Sequence, residues 1–194
     1  MKILISKLPI SGWWNSGIPK YKDNPAMREG IKPNLNKLKN ERINLISILK
    51  NQKHNVIEIE FPKILDKKNP KHDFIFVRDQ FISNQKNKII ILRSGEPLRR
   101  IENLVMKELL EKKGYNINQM PNISGMRADG GEFYLCAKEN ILFSGIQRNT
   151  ENGINYVANA LKVNELIILM GKTENSILSS QSIQKSLINE IFSS

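Results

Sequence analysis

One supersecondary unit recurs in this sequence, and its recurrence restricts the fold more than any other feature. The unit is strand, strand, helix, strand. In its first occurrence, apolar residues mark strands over 74–82 and 88–92, flanking the polar turn Asn84-Gln85-Lys86-Asn87. Ile101, Leu104, Val105, Glu108 and Leu109 follow at helical steps, with Gly114 as terminator, and 115–120 is strand-like. In the second, 132–135 and 141–144 form a hairpin across Lys138-Glu139-Asn140. A helix holding Ile154, Val157, Ala158 and Leu161 leads into a strand over 166–169. Repetition of one such unit predicts a modular α/β architecture.

Upstream, Ile3 to Ser6 reads as a first strand. Asn34 is placed to cap a helix marked by Leu35, Leu38, Arg42, Leu45, Ile46 and Leu49. A strand over 56–61 alternates polar and apolar residues and ends at Pro62. The Gly-, Pro- and Asn-rich stretch 9–33, with Trp13, Trp14 and Tyr21, has the composition of a long surface loop. It serves either as a lid or as cover for the core. The Ser- and Asn-rich tail 171–194 stands apart from the domain expected over 1–170.

Charge bears on partners. Thirty Lys and Arg against 19 Asp and Glu give a net charge of +11. The basic residues are spread along the chain, so a solvated basic surface is expected rather than a nucleic-acid partner. Such a surface attracts anionic groups, small-molecule carboxylates included. No apolar run reaches the ~20 residues of a membrane span. The single cysteine, Cys136, excludes an intramolecular disulfide and makes a reducing cytoplasm the default location.

Three segments concentrate charge beside strands and glycines. In HDFIFVRD, a strand would carry Asp73 and Asp79 at the two ends of one face. Two acids facing one cavity call for a cation to neutralise them, whereas acids at strand ends are otherwise simply solvated. In Asp129-Gly130-Gly131-Glu132, paired glycines permit close backbone approach or a tight bend between two acids; a plain turn has the same pattern. Arg148, just before a helix start, suits bidentate carboxylate binding or a bond to a surface loop.

In their order and spacing these segments resemble the dimethylargininases, arginine deiminases and amidinotransferases. FIFVRD is similar to that family's strand ending in Arg/Glu-Asp, and DGGE to its acidic-Gly-Gly-acidic motif. LFSGIQRNTENG is similar to its glycine and arginine segment, and RSGEPLRRIENLVMKELLEKKGY to its Arg-Arg helix. The resemblance runs from Asn34 to Met170 and implies the pentein fold, a five-bladed α/β propeller of which this chain supplies about three modules. It implies a hydrolase or amidinotransferase acting on the guanidino group of arginine or methylarginine, with no cofactor and no metal. Asp79 and Asp129 take the catalytic positions, Asp79 gripping the guanidinium. Asp73 contacts the substrate, while Arg148 and Arg100, or Arg99, bind its α-carboxylate. Glu132 falls on the second acid of the Gly-Gly motif, in a substrate-directed or a structural role.

The family's histidine and cysteine have no counterpart here. His54 and His72 lie upstream of the histidine's position and read as surface residues, and Cys136 reads as a small buried one. The Arg-Asn-Thr order also departs from the family's Arg-Thr-Asn. The resemblance therefore implies a truncated or split product inactive on its own. The alternatives are an arginine-binding module, or a subunit completed by a complementing C-terminal polypeptide. Open strand edges would favour a homo-oligomer.

Overall fold

The computed structural model describes residues 2–10, 29, 31, 33–67, 72–84 and 88–170. Both tryptophans, Tyr21 and the tail lie outside these residues.

Three parallel strand–helix–strand units organise the described chain. Strand β1 (Lys2–Ser6) pairs in parallel with β2 (Asn55–Ile59), and helix α1 (Leu35–Asn51) makes the crossover. The Asn34 side chain accepts the Lys37 N–H at 3.0 Å, capping α1 as its sequence predicts. The short helix α2 (Lys63–Lys67) follows. Next come β3 (Phe81–Ser83), β4 (Ile89–Ile91), helix α3 (Arg100–Lys112) and β5 (Ile117–Gln119). They form a sheet of order β3-β4-β5, with β3 antiparallel and β5 parallel to β4. The third sheet repeats this order and sense with β6 (Phe133–Cys136), β7 (Ile141–Gly145) and β8 (Glu165–Leu169). Its crossover is helix α4 (Glu151–Leu161), capped by Thr150. A parallel pair needs such a crossover, whereas the antiparallel strand preceding it needs only a turn.

Strand β4 lies between two apolar cores. Ile89 and Ile91 enter one with Phe61, Leu65, Phe74 and Met106. Ile90 enters the other with Phe133, Leu142, Ile154 and Val157. Alternation along the strand sends successive isoleucines to opposite faces, so all three are buried.

Two expectations need correction. The strand expected over 74–82 is instead a pair of 3-10 turns, His72–Ile75 and Val77–Gln80, ahead of the short β3. Phe74 and Val77 are both buried, and their spacing of three residues is the repeat of that tighter helix. Asp73 and Asp79 therefore do not share a strand face. In α3, Val105 and Leu109 pack half-buried against the core as their period implies, but the rest of the pattern does not hold. Ile101 and Leu104 are exposed, and Glu102, Asn103, Met106 and Leu110 face inward. Polar Glu102 and Asn103 sit in the inward stripe because they have buried polar partners.

Candidate functional site

The 3-10 turns still bring their acids to one place. The Phe76 N–H bonds to the Asp73 carbonyl and the Asp79 N–H to the Phe76 carbonyl, each at 2.9 Å. The turn Gly130–Glu132 is laid directly upon this segment. A Cβ on Gly130 would stand 1.9 Å from the Arg78 carbonyl oxygen and 2.9 Å from that of Phe81, so only glycine fits. Arg78 closes the junction by donating to the Phe133 carbonyl at 2.5 Å.

Gly131 lies beneath the charged groups. The Cβ it lacks would sit 2.8 Å from Arg148 Nη2, 2.9 Å from Asp79 Oδ1 and 3.0 Å from Asp129 Oδ1. These three polar atoms converge around one point. Asp129 is held on both sides: its Oδ1 accepts the Gly131 N–H at 2.9 Å, and its own N–H donates to Asn149 Oδ1 at 2.7 Å. Asn149 is fixed in turn by its bond to the buried Ser144 hydroxyl at 3.0 Å.

Two arginines meet the acids from opposite sides. Arg99, 3% exposed, places Nη2 at 3.1 Å from both Asp79 Oδ2 and Glu102 Oε2. Its Nη1 is 3.6 Å from Asp129 Oδ2, and its Nε is 3.9 Å from Asp73 Oδ2. Arg148 approaches Asp129 Oδ2 at 3.3 Å and Glu132 Oε1 at 3.9 Å, with its side chain 36% exposed. Glu132 Oε2 also accepts the N–H groups of Arg148 at 2.8 Å and Asn149 at 3.1 Å, fixing the loop before α4.

Among the described residues, the ion pairs of this cluster join five carboxyl groups, Asp73, Asp79, Glu102, Asp129 and Glu132, to only two guanidinium groups. The protonation equilibria register the imbalance. Burial, then the charge of Asp79, pushes the Asp129 carboxyl up to about 6, against the opposing pull of Arg148 and Arg99. Burial pushes Glu102 up to about 8, only partly offset by Arg99. Glu102 is therefore largely neutral at pH 7, and its Oε1 is buried without a hydrogen-bond partner. Burial disfavours the charge on Arg99 as well, but Glu102, Asp73, Asp79 and Asp129 together outweigh it and hold the guanidinium protonated.

No protein-family model matches the chain, and a comparison with curated proteins finds no match. Solved structures do match. The product-bound N-terminal domain of ArgZ, an arginine dihydrolase from the ornithine-ammonia cycle in cyanobacteria, aligns at TM-score 0.71 and 17% identity. The alignment covers 90% of this chain and 59% of that one. Dimethylarginine dimethylaminohydrolase, as its adduct with S-methyl-L-thiocitrulline, aligns at TM-score 0.66 and 15% identity, covering 89% and 61%. The Pseudomonas aeruginosa enzyme complexed with citrulline gives 0.66 and 14%, with the same coverage. The chain shares its mixed α/β fold with these structures. It spans less than two thirds of the length of each of them.

Within this fold, Asp73, Asp79, Asp129 and Arg148 converge in one cluster, together with Glu132. Arg100 begins α3 and donates from Nε to the Ser94 carbonyl at 3.2 Å. Arg99, the less favoured of the two adjacent arginines in the sequence, is the one inside the cluster. Glu102, Gln80 and Asn103 were not anticipated. Gln80 Nε2 donates to Glu102 Oε2 at 3.0 Å, and Asn103 Nδ2 donates to the Gln80 carbonyl at 3.4 Å. Their one sequence signal is the pairing of Arg99 with an acid three residues on, one helical turn away.

Cys136 lies far along the β6–β7 hairpin and is half-buried rather than buried. Its thiol donates to Glu139 Oε2 at 2.6 Å, and that bond holds its pKa above the usual thiol value. A thiol held protonated is a poor nucleophile. Among the described residues, no group of His, Cys, Asp and Glu is arranged to hold a metal ion. No helix among them is long and apolar enough to cross a membrane.

Proposed function

We propose that this chain forms the guanidine-gripping part of an enzyme acting on arginine or a methylarginine, by hydrolysis or amidino transfer. The observation that carries the reading is the meeting of Asp79 Oδ1, Asp129 Oδ1 and Arg148 Nη2 around Gly131. A guanidinium is planar and offers five N–H donors, and two converging carboxylates accept them in pairs. The Asp79 and Asp129 carboxylate oxygens that line this point favour a cationic ligand. Asp79 grips the guanidinium and Asp129 orients it, with Asp73 as a further contact. Arg148, partly exposed, takes the ligand's carboxylate, and Arg100 assists it from the start of α3. Neighbours sharing the fold were crystallised with L-arginine and with citrulline, which supports this ligand class.

The architecture we propose is a pentein propeller of five modules, with about three in this chain over 1–170. The three parallel strand–helix–strand units support it. Attack on a guanidinium carbon needs a nucleophile and an acid/base group. The chain holds two histidines and one cysteine, and Cys136 is committed to Glu139 at the turn end of the β6–β7 hairpin. We therefore propose that the chain alone binds without turnover, and that a second polypeptide supplies the missing groups where catalysis occurs.

Calorimetric titration with L-arginine and asymmetric dimethylarginine tests the binding. Saturable binding abolished by Asp79→Ala is expected. Absence of binding to both compounds at millimolar concentration overturns the proposal. Turnover of either by the purified chain, lost in Asp79→Ala, overturns the inactivity.

A further inference from the structure

We propose that Arg99 is a positioning residue, a resident guanidinium that holds Asp73, Asp79 and Asp129 together to receive a second, incoming one. The inference deepens the guanidine-binding reading above and rests on it for the identity of the ligand. The geometry separates this role from carboxylate capture. Nη2 engages Asp79 and Glu102, Nη1 faces Asp129, and Nε faces Asp73 and Glu102. Each guanidinium nitrogen thus faces an acid within the protein, and the group is 3% exposed. A ligand carboxylate would have to displace these acids to reach it.

The acids come from segments far apart in the chain: Asp73 and Asp79 from the two 3-10 turns, Glu102 from α3, and Asp129 from the turn before β6. Their like charges repel, and burial sharpens the repulsion. Arg99 is the one cation common to all four among the described residues, whereas Arg148 reaches Asp129 and Glu132. The groups facing Asp129 are Asp79, Arg99 and Arg148, with Glu132 beyond Arg148. Glu102 bonds to Arg99 through Oε2 and to Gln80 through the same oxygen. In its neutral form it anchors Arg99 without adding a full negative charge, so the remaining surplus lies on the aspartates.

Removing the cation while keeping most of its bulk tests the role. Arg99→Met should raise the protonation midpoint of Asp129, whose carboxyl Arg99 holds down. A pH series of thermal unfolding without ligand should then show the deficit of Arg99→Met against wild type shrinking steadily from pH 8 to pH 5. The sign follows from linkage: acids whose folded pKa is raised lose their stabilising contribution as pH rises through it. Arg99→Lys keeps the charge and should hold a wild-type slope. A parallel pH series of arginine titrations should show affinity in Arg99→Met falling about tenfold for each unit by which the midpoint rises, and recovering above it.

A deficit in Arg99→Met that is independent of pH, or one shared equally by Arg99→Lys, would overturn the positioning role by showing only a packing function. If Arg99→Met does not fold, Arg99→Lys still decides: loss of the wild-type pH slope there counts against the proposal, and its retention supports it. Failure of wild type to bind arginine overturns the ligand reading alone, because the unfolding series needs no ligand.

Discussion

The two arginines of the acid cluster carry the same group in opposite settings. Arg99 is 3% exposed and set among four carboxyl groups, whereas the Arg148 side chain is 36% exposed and meets two. Burial makes the first pairing obligatory, because a carboxylate left without its counter-charge in the interior costs several kcal/mol. Partial exposure of Arg148 makes the second the more exchangeable of the two, because a ligand group can reach this guanidinium from solvent while its acids stay buried. One cluster thus has a fixed end that assembles it and an open end that can receive a ligand.

The largest expected effect breaks the junction on which both ends depend. Gly130→Ala forces a Cβ to within 1.9 Å of the Arg78 carbonyl oxygen, and backbone on both sides leaves little room to yield. A loss of roughly 3 kcal/mol or more is expected in urea unfolding. A loss below about 1 kcal/mol would show that the two turns are not clamped as described. Gly131→Ala meets only side-chain ends, so it should cost less stability while displacing Asp79, Asp129 and Arg148 from their common point.

Next in size is the fixed end itself. Arg99→Met should lower stability at pH 7 by about 3–5 kcal/mol, the usual consequence of stripping one partner from a buried ionic group. Urea unfolding at pH 7 measures it, and a loss no larger than that of Arg148→Met would erase the distinction between the two arginines.

Glu102 sharpens the same contrast through pH. Its carboxyl is pushed up from an ordinary 4.5 to about 8, chiefly by burial. Its contribution to stability is therefore complete below pH 4.5 and lost as pH rises through 8. Glu102→Gln mimics the neutral carboxyl and removes that dependence. The variant should match wild type near pH 4.5 and exceed it by roughly 3 kcal/mol at pH 8.5. Parallel denaturation curves at both values would show instead that Glu102 is ionised throughout.

How much of this was legible in the sequence follows from the range of each interaction. The Gly-Gly turn, the Asn34 cap and the start of α4 just after Arg148 are set by neighbouring residues, and the sequence marks all three. The repeated unit is visible because its helices and strands have distinct periods. The 72–80 segment was misread because Phe74-Ile75-Phe76-Val77 fits both a two-residue and a three-residue repeat. Only the core decides that it is Phe74 and Val77 that enter. Glu102 and Asn103 carry no local mark of burial, since acids and amides usually face solvent. Their burial depends on Gln80 and Arg99, and that of Arg99 on Asp129, thirty residues away. Such pairings are tertiary facts with no local trace.

The smallest effect on stability belongs to the open end, and there the comparison turns on function. Arg148→Met removes a partly exposed group whose partners, Asp129 and Glu132, are themselves 3% and 12% exposed, so stability at pH 7 should fall by about 1–2 kcal/mol, less than in Arg99→Met. Arginine affinity should nevertheless fall about tenfold to a hundredfold, the value of one charge-assisted contact to the ligand carboxylate. Agmatine, which is arginine without that carboxylate, provides the control. If Arg148 receives the carboxylate, wild type and Arg148→Met bind agmatine with similar strength. If the variant loses both ligands equally, Arg148 acts on the acids rather than on the ligand. The cluster would then have two structural arginines and no open end.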